Sequence, residues 1–223
     1  LCLGIIDMQT CKTQLEMAAE SGIPVIIVDS GVDSDLFEAF CGIDNRAAGA
    51  EAAKKLCEAI GDTGQVAVAS HQSTTQTSVE RVEGFTNEIT QNHPGVTIVQ
   101  TCYSDGEEDL ETSLGNMFQQ YPQLEGIFCT NQDVSDLALS ILYDQENPVK
   151  MVGFDYSEAQ QTAIESGLEY GTISQNPYSL GYAMIVAAAR AAAGMPVDSF
   201  VDAGYLWMDQ SNIAAEDLEL YRY

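Results

Sequence analysis

Short apolar runs alternate along this chain with longer stretches of helical periodicity. Residues 23–28 are apolar throughout, as in a strand that is buried on both faces of a sheet. Residues 10–21 instead have an amphipathic helical pattern, which Gly22 closes. Strand and helix units in this order are typical of a parallel sheet covered by helices. The sequence therefore predicts an α/β fold.

The same alternation predicts an ordered series of elements along the chain. The predicted strands are residues 1–6, 23–28, 39–43, 65–69, 96–103, 126–129, 151–154, 170–174 and 203–208. The predicted helices are residues 10–21, 47–60, 76–92, 107–121, 134–143 and 180–193.

Polar side chains follow several of these strands at the point where each one ends. The apolar run 151–154 stops at Asp155, and the run 23–28 stops at Asp29. In an open parallel sheet, ligands bind beyond the carboxyl ends of the strands. We therefore expect such side chains to reach a crevice and to contact a ligand there. The candidate contacts are Asp29, Asn131, Asp155 and Gln175, together with Arg81 near the first turns of helix 76–92.

The charge balance excludes some classes of partner. The chain has 34 acidic and 8 basic residues, a net charge of −26, whereas nucleic acids and anionic membrane surfaces attract basic patches. No apolar run is long enough to span a bilayer, and no signal segment stands at the start. Because the chain opens inside an apolar run, we expect that a natural segment precedes Leu1.

The cysteines and histidines do not form a recognisable metal or catalytic motif. The six cysteines include no CxxC pair and have no neighbouring histidine cluster, so no zinc site is expected. They are interpreted as small buried thiols, although an exported chain would allow a disulfide. His71 and His93 lack the pattern of a triad and are expected at the surface. The glycines form no nucleotide-binding motif, and no catalytic residue is predicted.

A set of polar residues occurs in a fixed order along the chain: Asp29, Asp44-Asn45, Arg81 in VERVEGF, Asn131 in CTNQD, Asp155 in VGFD and Gln175 in ISQNPYSLGY. This ordered set resembles the periplasmic binding protein family of the ribose-binding type. The resemblance runs through essentially the whole chain. It implies two doubly wound parallel-sheet lobes of the type I class, joined by a three-strand hinge, without the family's first strand and helix. The lobes would comprise residues 1–42 with 176–204, and 43–175 with 205–223. The crossings would fall near Ile43, Gln175-Asn176 and Tyr205.

By this resemblance the protein is a solute-binding receptor of an ABC transporter. It would bind a small sugar or polyol, such as a monosaccharide, between its lobes and pass it to a membrane permease. Asp29, Arg81, Asn131, Asp155 and Gln175 match the family's sugar contacts, whereas Ser30 stands where the ribose receptors have an Arg. The resemblance further implies a monomer without cofactor or nucleic acid partner, located outside the cell, in the periplasm or on the surface as a lipoprotein.

Two other functions use the same fold. The lactose-repressor family places it behind a DNA-binding helix-turn-helix, and some receptors signal to a sensor kinase. The ending YLWMDQSNIAAEDL resembles the transport receptors, and the sequence upstream of Leu1 would discriminate between these functions.

Capping or packing roles are expected for other residues near the strand ends. Asp44 and Asn45 are expected to cap the next helix and to shape the hinge. Phe154, Tyr156 and Tyr178 are expected to pack within a lobe rather than to stack on a sugar. The substitutions Asp155→Ala and Arg81→Ala are each expected to weaken ligand binding and to leave the melting temperature without ligand nearly unchanged.

Overall fold

The computed structural model describes residues 1–143, 149–215, 218 and 221, and within them the strands form two separate sheets. The first sheet contains β1 (Cys2–Leu3), β2 (Ile26–Val28), β3 (Ala39–Gly42) and β9 (Phe200–Asp202), in the order β1-β2-β3-β9. All of its pairings are parallel. Helix α1 (Lys12–Glu20) contributes Leu15 to the apolar cluster on one face, and α7 (Pro177–Ala192) contributes Ala187 to the cluster on the other.

The second sheet is larger and forms most of the described core. It contains β4 (Gly64–Ser70), β5 (Val96–Tyr103), β6 (Leu124–Cys129), β7 (Lys150–Phe154), β8 (Glu169–Gln175) and β10 (Tyr205–Met208). Their order is β10-β8-β7-β6-β4-β5, and only β10 runs antiparallel to its neighbour.

Helices cover both faces of this second sheet. The helices are α2 (Asn45–Ile60), α3 (Gln76–Asn92), α4 (Leu110–Gln120), α5 (Gln132–Leu142) and α6 (Glu158–Ser166). Val66 and Val68 of β4 pack with Leu56 of α2, whereas the intervening Ala67 packs with Leu114 of α4. Because successive side chains of a strand point to opposite faces, a strand with helices on both sides is apolar throughout.

Helices α2 and α3 cross at very short range because each contributes a glycine to the contact. A Cβ atom added at Gly49 would stand 2.1 Å from the backbone oxygen of Arg81. One added at Gly84 would stand 2.1 Å from that of Arg46. The close approach fixes α3, and with it Arg81, relative to the end of β3.

The chain passes between the two sheets three times, at residues 43–44, 176 and 203–204. These positions agree with the predicted three-strand hinge. The proposed lobe boundaries, which divide residues 1–42 and 176–204 from 43–175 and 205–223, stay a prediction. Part of the last range, at residues 216–217, 219–220 and 222–223, lies outside the described residues.

Most predicted elements are confirmed, with the same bounds for α3 and β5. The first strand is shorter than predicted, and α6 and β9 were not predicted. Helix α6 buries only Gln160, Ala163 and Ile164, so its apolar period is weak. Its capping box, in which Ser157 and Gln160 bond reciprocally, is the sequence signal that marks its start. Within the described ranges, no helix has the length and apolarity needed to cross a bilayer.

Candidate ligand-binding cleft

Two acidic residues at strand ends have an unusual backbone conformation. Asp29 follows β2 of the first sheet with φ 64°, and Asp155 follows β7 of the second sheet with φ 68°. Residues other than glycine rarely adopt the left-handed region, and such strain is concentrated at binding and catalytic sites. The same left-handed conformation thus occurs at a strand end in each of the two sheets.

The Asp155 carboxylate is buried and lies within a set of hydrogen bonds. Gln175 donates its amide to Oδ1 at 3.0 Å, and the backbone N–H of Gln132 donates to Oδ2 at 3.2 Å. Burial raises the pKa of Asp155, and the negative charge of Asp29 raises it further, while Arg81 and Gln175 oppose the shift. Asp29 and Asp155 come from different sheets and line the same cavity.

Arg81 lies on α3 and is only 2% exposed. Its Nε donates to Oδ1 of Asn45 at 2.8 Å, and its Nη1 donates to the backbone oxygen of Thr130 at 2.7 Å. The guanidinium carbon lies 3.5 Å from the centroid of the Phe154 ring, which is a cation–π contact. Arg81 therefore connects α2, β6 and β7, in addition to presenting a positive charge near Asp155.

Asn131 caps helix α5. Its Oδ1 accepts from the backbone N–H of Val134 at 3.1 Å, which fixes the side chain at the cleft edge of β6. The acceptor half of the amide is thus engaged in the cap, and the donor half is the part that can serve a ligand.

His71 does not lie on the surface, as the sequence had indicated, but at the cleft. Its Nδ1 is 2.9 Å from Thr130 Oγ1, and its Nε2 is 2.9 Å from Thr77 Oγ1. Burial lowers the pKa of His71 to about 3, and the nearby charge of Arg81 lowers it too. The ring is therefore neutral at physiological pH and held on both sides. No local pattern marks this role of His71, because Thr130 is far away along the chain.

All five predicted site residues line one cavity of about 720 Å³, although their contact with a ligand stays a prediction. Residues that the sequence analysis did not assign to a site line the same cavity. They include His71, Thr77, Ser30 and Asp133. The hydroxyl of Ser30 is buried and has no hydrogen-bond partner among the described residues. A buried polar group without a partner costs about 1–3 kcal/mol, so a ligand hydroxyl placed there would remove that cost.

Two of the three aromatic residues near the strand ends pack within a lobe as expected, whereas the expectation for Tyr178 was wrong. Phe154 and Tyr156 are buried in apolar clusters, and Tyr178 is exposed and does not line the cavity. Asp44 caps α2 by accepting from the backbone N–H of Ala47 at 2.9 Å, as predicted. Asn45 has a different role, because it orients Arg81.

Two sheets joined by three crossings, with a polar cavity at their facing strand ends, define a two-lobed binding protein. The model of the periplasmic binding protein domain family matches residues 1–196. The chain therefore belongs to the periplasmic binding protein family.

Similar proteins support this assignment. The ribose import binding protein of Bacillus subtilis is 25% identical over 203 residues, which are 91% of this chain and 66% of that protein. A solute-binding protein from Agrobacterium vitis with bound α-D-tagatopyranose is 26% identical, with a TM-score of 0.91 over 97% of this chain and 77% of that one. One from Mycobacterium smegmatis with bound glycerol is 30% identical, with a TM-score of 0.86 over 96% of this chain and 76% of that one. The chain thus spans about two thirds of the length of the curated relative.

Proposed function

We propose that this protein is the solute-binding receptor of an ABC transporter and binds a small sugar or polyol between its two lobes. One observation carries the proposal. Polar side chains from the facing strand ends of both sheets line a single cavity of about 720 Å³, a size that suits a small molecule.

The chemistry of the cavity suits hydroxyl groups. A sugar hydroxyl both donates and accepts a hydrogen bond. Carboxylates such as Asp29 and Asp155 would accept from it, while Arg81 and the Asn131 amide would donate to its oxygen. The buried Ser30 hydroxyl adds a group that can do either. In the proposed complex these contacts come from both lobes at once.

The proposed mechanism is closure about the hinge. Asp29 follows a strand of the first sheet, and Asp155 follows a strand of the second. A ligand would contact both residues at once only when the lobes are closed. A ligand shifts a conformational equilibrium by the difference between its affinities for the two states. Sugar binding would thereby present a closed form to a membrane permease.

The proposed location and partners follow from the family and its relatives. A receptor that supplies a permease works outside the cytoplasmic membrane, in the periplasm or at the cell surface. We infer a binding rather than a catalytic role, because both ring nitrogens of His71 are engaged by threonine hydroxyls and the ring is not poised to act as a base. The relatives with bound tagatopyranose and glycerol support polyhydroxylated ligands.

The test is a thermal-shift screen followed by calorimetry. Pentoses, hexoses and polyols are compared with amino acids and nucleosides as solutes of other classes. A ligand with a micromolar dissociation constant, supplied at millimolar concentration, stabilises the folded state by about 4 kcal/mol. The hit is then titrated into Asp29→Asn and Asp155→Asn, which keep the side-chain shape, and into Asp109→Asn, which changes an exposed helix cap outside the cavity.

We expect one or more sugars or polyols to stabilise the protein, and both cleft variants to bind the hit at least about tenfold more weakly, which corresponds to 1.4 kcal/mol. The Asp109→Asn protein should bind with unchanged affinity. Stabilisation by amino acids or nucleosides alone would contradict the ligand class. Equal affinity in all three variants would place the site elsewhere.

A further inference from the structure

A second polar cluster lies in the second lobe, away from the cleft. Cys57 is in the last turns of α2, Asp62 follows in the turn to β4, and His93 ends α3. One ligand-type atom from each of them lies within 4.8 Å of the other two. Sulfur, carboxylate oxygen and imidazole nitrogen are together the donor set that Zn²⁺ accepts in proteins.

The backbone brings these side chains together with little freedom. Gly61 and Asp62 are both left-handed, with φ 75° and 62°, and the N–H of Asp62 bonds to the oxygen of Cys57 at 2.8 Å. The turn after α3 docks onto this one, since Gly64 N–H bonds to the oxygen of Gly95 at 3.0 Å. The two turns thus hold Asp62 and His93 against each other.

The His93 ring stands between two carboxylates. Its Nδ1 is 2.5 Å from Asp62 Oδ1, and its Nε2 is 3.5 Å from Glu88 Oε1. Nε2 is buried and makes no hydrogen bond within the described part of the chain. Both ring nitrogens therefore face a carboxylate oxygen, an acceptor that can bind a proton or a cation.

A cation held between Nδ1 and Asp62 would bind both of these atoms and lie within reach of the Cys57 thiol. The ring proton would then be on Nε2, directed at Glu88, as when a metal-bound histidine donates its other N–H to a carboxylate. The Cys57 thiol would complete a three-residue set, leaving the fourth tetrahedral position to water.

Although the spacing of cysteines and histidines along the sequence did not predict a zinc site, we propose that Cys57, Asp62 and His93 form one. Glu88 would be the hydrogen-bond partner of the histidine. Binding replaces the S–H bond of Cys57 with a bond between sulfur and zinc, and the proton passes to solvent. No electron is transferred. The site lies on helices and turns outside the sugar cleft, so its role is to clamp α2, α3 and the start of β4 together, independently of the proposed solute.

Access and charge both favour a cation. The Asp62 side chain is 63% exposed, and His93 lines a surface cavity of about 430 Å³, which provides a route from solvent. The carboxylates of Asp62 and Glu88 both lie beside the His93 ring and bring negative charge to the cluster.

The experiment uses the full chain after treatment with a chelator and dialysis. Co²⁺ is titrated as a spectroscopic substitute for Zn²⁺, and absorbance in the near ultraviolet reports a sulfur-to-cobalt charge-transfer band. The variant Cys57→Ser removes the thiolate. The matched control is Cys102→Ser, which alters another buried thiol of the same lobe in β5.

We expect the band in the parent protein and in Cys102→Ser, its displacement by Zn²⁺, and its loss in Cys57→Ser. Zn²⁺ should also raise the melting temperature of the parent as its concentration increases. Should Cys57→Ser fail to fold, Asp62→Asn tests the site, because Asn can still accept from His93 and the residue is exposed. That variant should bind Zn²⁺ more than about tenfold more weakly.

Cobalt binding without the band would mean that only surface carboxylates of this acidic chain hold the ion. A band that survives in Cys57→Ser would assign it to another thiol. Either result, or unchanged Zn²⁺ affinity in Asp62→Asn, would overturn the proposal and leave His93 as a link between two carboxylates.

Discussion

Replacement of Arg81 by Met should destabilise the protein even when no ligand is present. The change removes a buried guanidinium that connects α3 to Asn45 of α2 and to the backbone oxygen of Thr130. This expectation revises the one drawn from the sequence, in which Arg81 was treated as a ligand contact without a structural role.

The size of the effect follows from the contacts that are lost. Each of the two acceptors left buried without its donor costs about 1–3 kcal/mol, and the contact with the Phe154 ring contributes about 0.5–2 kcal/mol. Part of this loss is offset because the variant no longer buries a charge. The net loss should be about 3–5 kcal/mol. At about 2–4 °C per kcal/mol, the melting temperature should fall by roughly 6–20 °C.

The assay is thermal and urea unfolding of the ligand-free protein, followed by circular dichroism. The matched control is Arg46→Met, which also removes an arginine between α2 and α3. The Arg46 side chain is 51% exposed and pairs with Glu80 and Glu83 at 2.7 and 2.6 Å. Because exposed ion pairs contribute about 0–1 kcal/mol, this control should lose little stability. Equal losses in the two variants would refute the structural role of Arg81.

Two further predictions concern protonation and packing. The folded-state pKa of His71, about 3, lies below its ordinary value of 6.5, so the unfolded chain binds the extra proton and stability falls as the pH drops from 6.5 towards 3. The His71→Gln variant should lose less stability than the parent over this pH range, by up to about 1.4 kcal/mol per pH unit. An equal dependence on pH in the two proteins would contradict the lowered pKa of His71. Gly49→Ala, whose Cβ would meet the Arg81 backbone oxygen, should cost about 1–3 kcal/mol in urea unfolding. Gly115→Ala in α4 meets nothing within 4 Å and should stabilise by about 0.4–1 kcal/mol, and a similar loss in both would argue against a close helix crossing.

The element order could be read from the sequence because it rests on local periodicity. Helix α3 has an apolar face with a period of 3.6 residues, and strand β5 is rich in β-branched residues. The bounds of both elements were predicted without error. Helix α6 was missed because its buried face includes Gln160, a polar residue whose amide bonds to Phe154, Glu169 and Thr172. The periodicity of apolar residues carries no signal when a buried position is polar.

The candidate cleft could be predicted in part for the same reason. Asp29 and Asp155 stand directly after apolar strands, and parallel strands end at a common edge, so local sequence determines that these side chains reach the crevice. Whether a side chain there is buried, strained or shared with another element is not a local property. The left-handed conformation of both residues and the raised pKa of Asp155 emerge only from the assembled lobes.

The sequence by itself determined the alternation of strands and helices, the acidic surface and the polar strand ends, since each depends on residue type and short-range spacing. The tertiary structure alone decided what His71, Arg81 and His93 contact. His71 meets Thr130, Arg81 meets Asn45, and His93 meets Asp62. These partners lie 59, 36 and 31 residues apart along the chain. Their proximity arises from the packing of α2, α3 and β6, which no periodicity encodes.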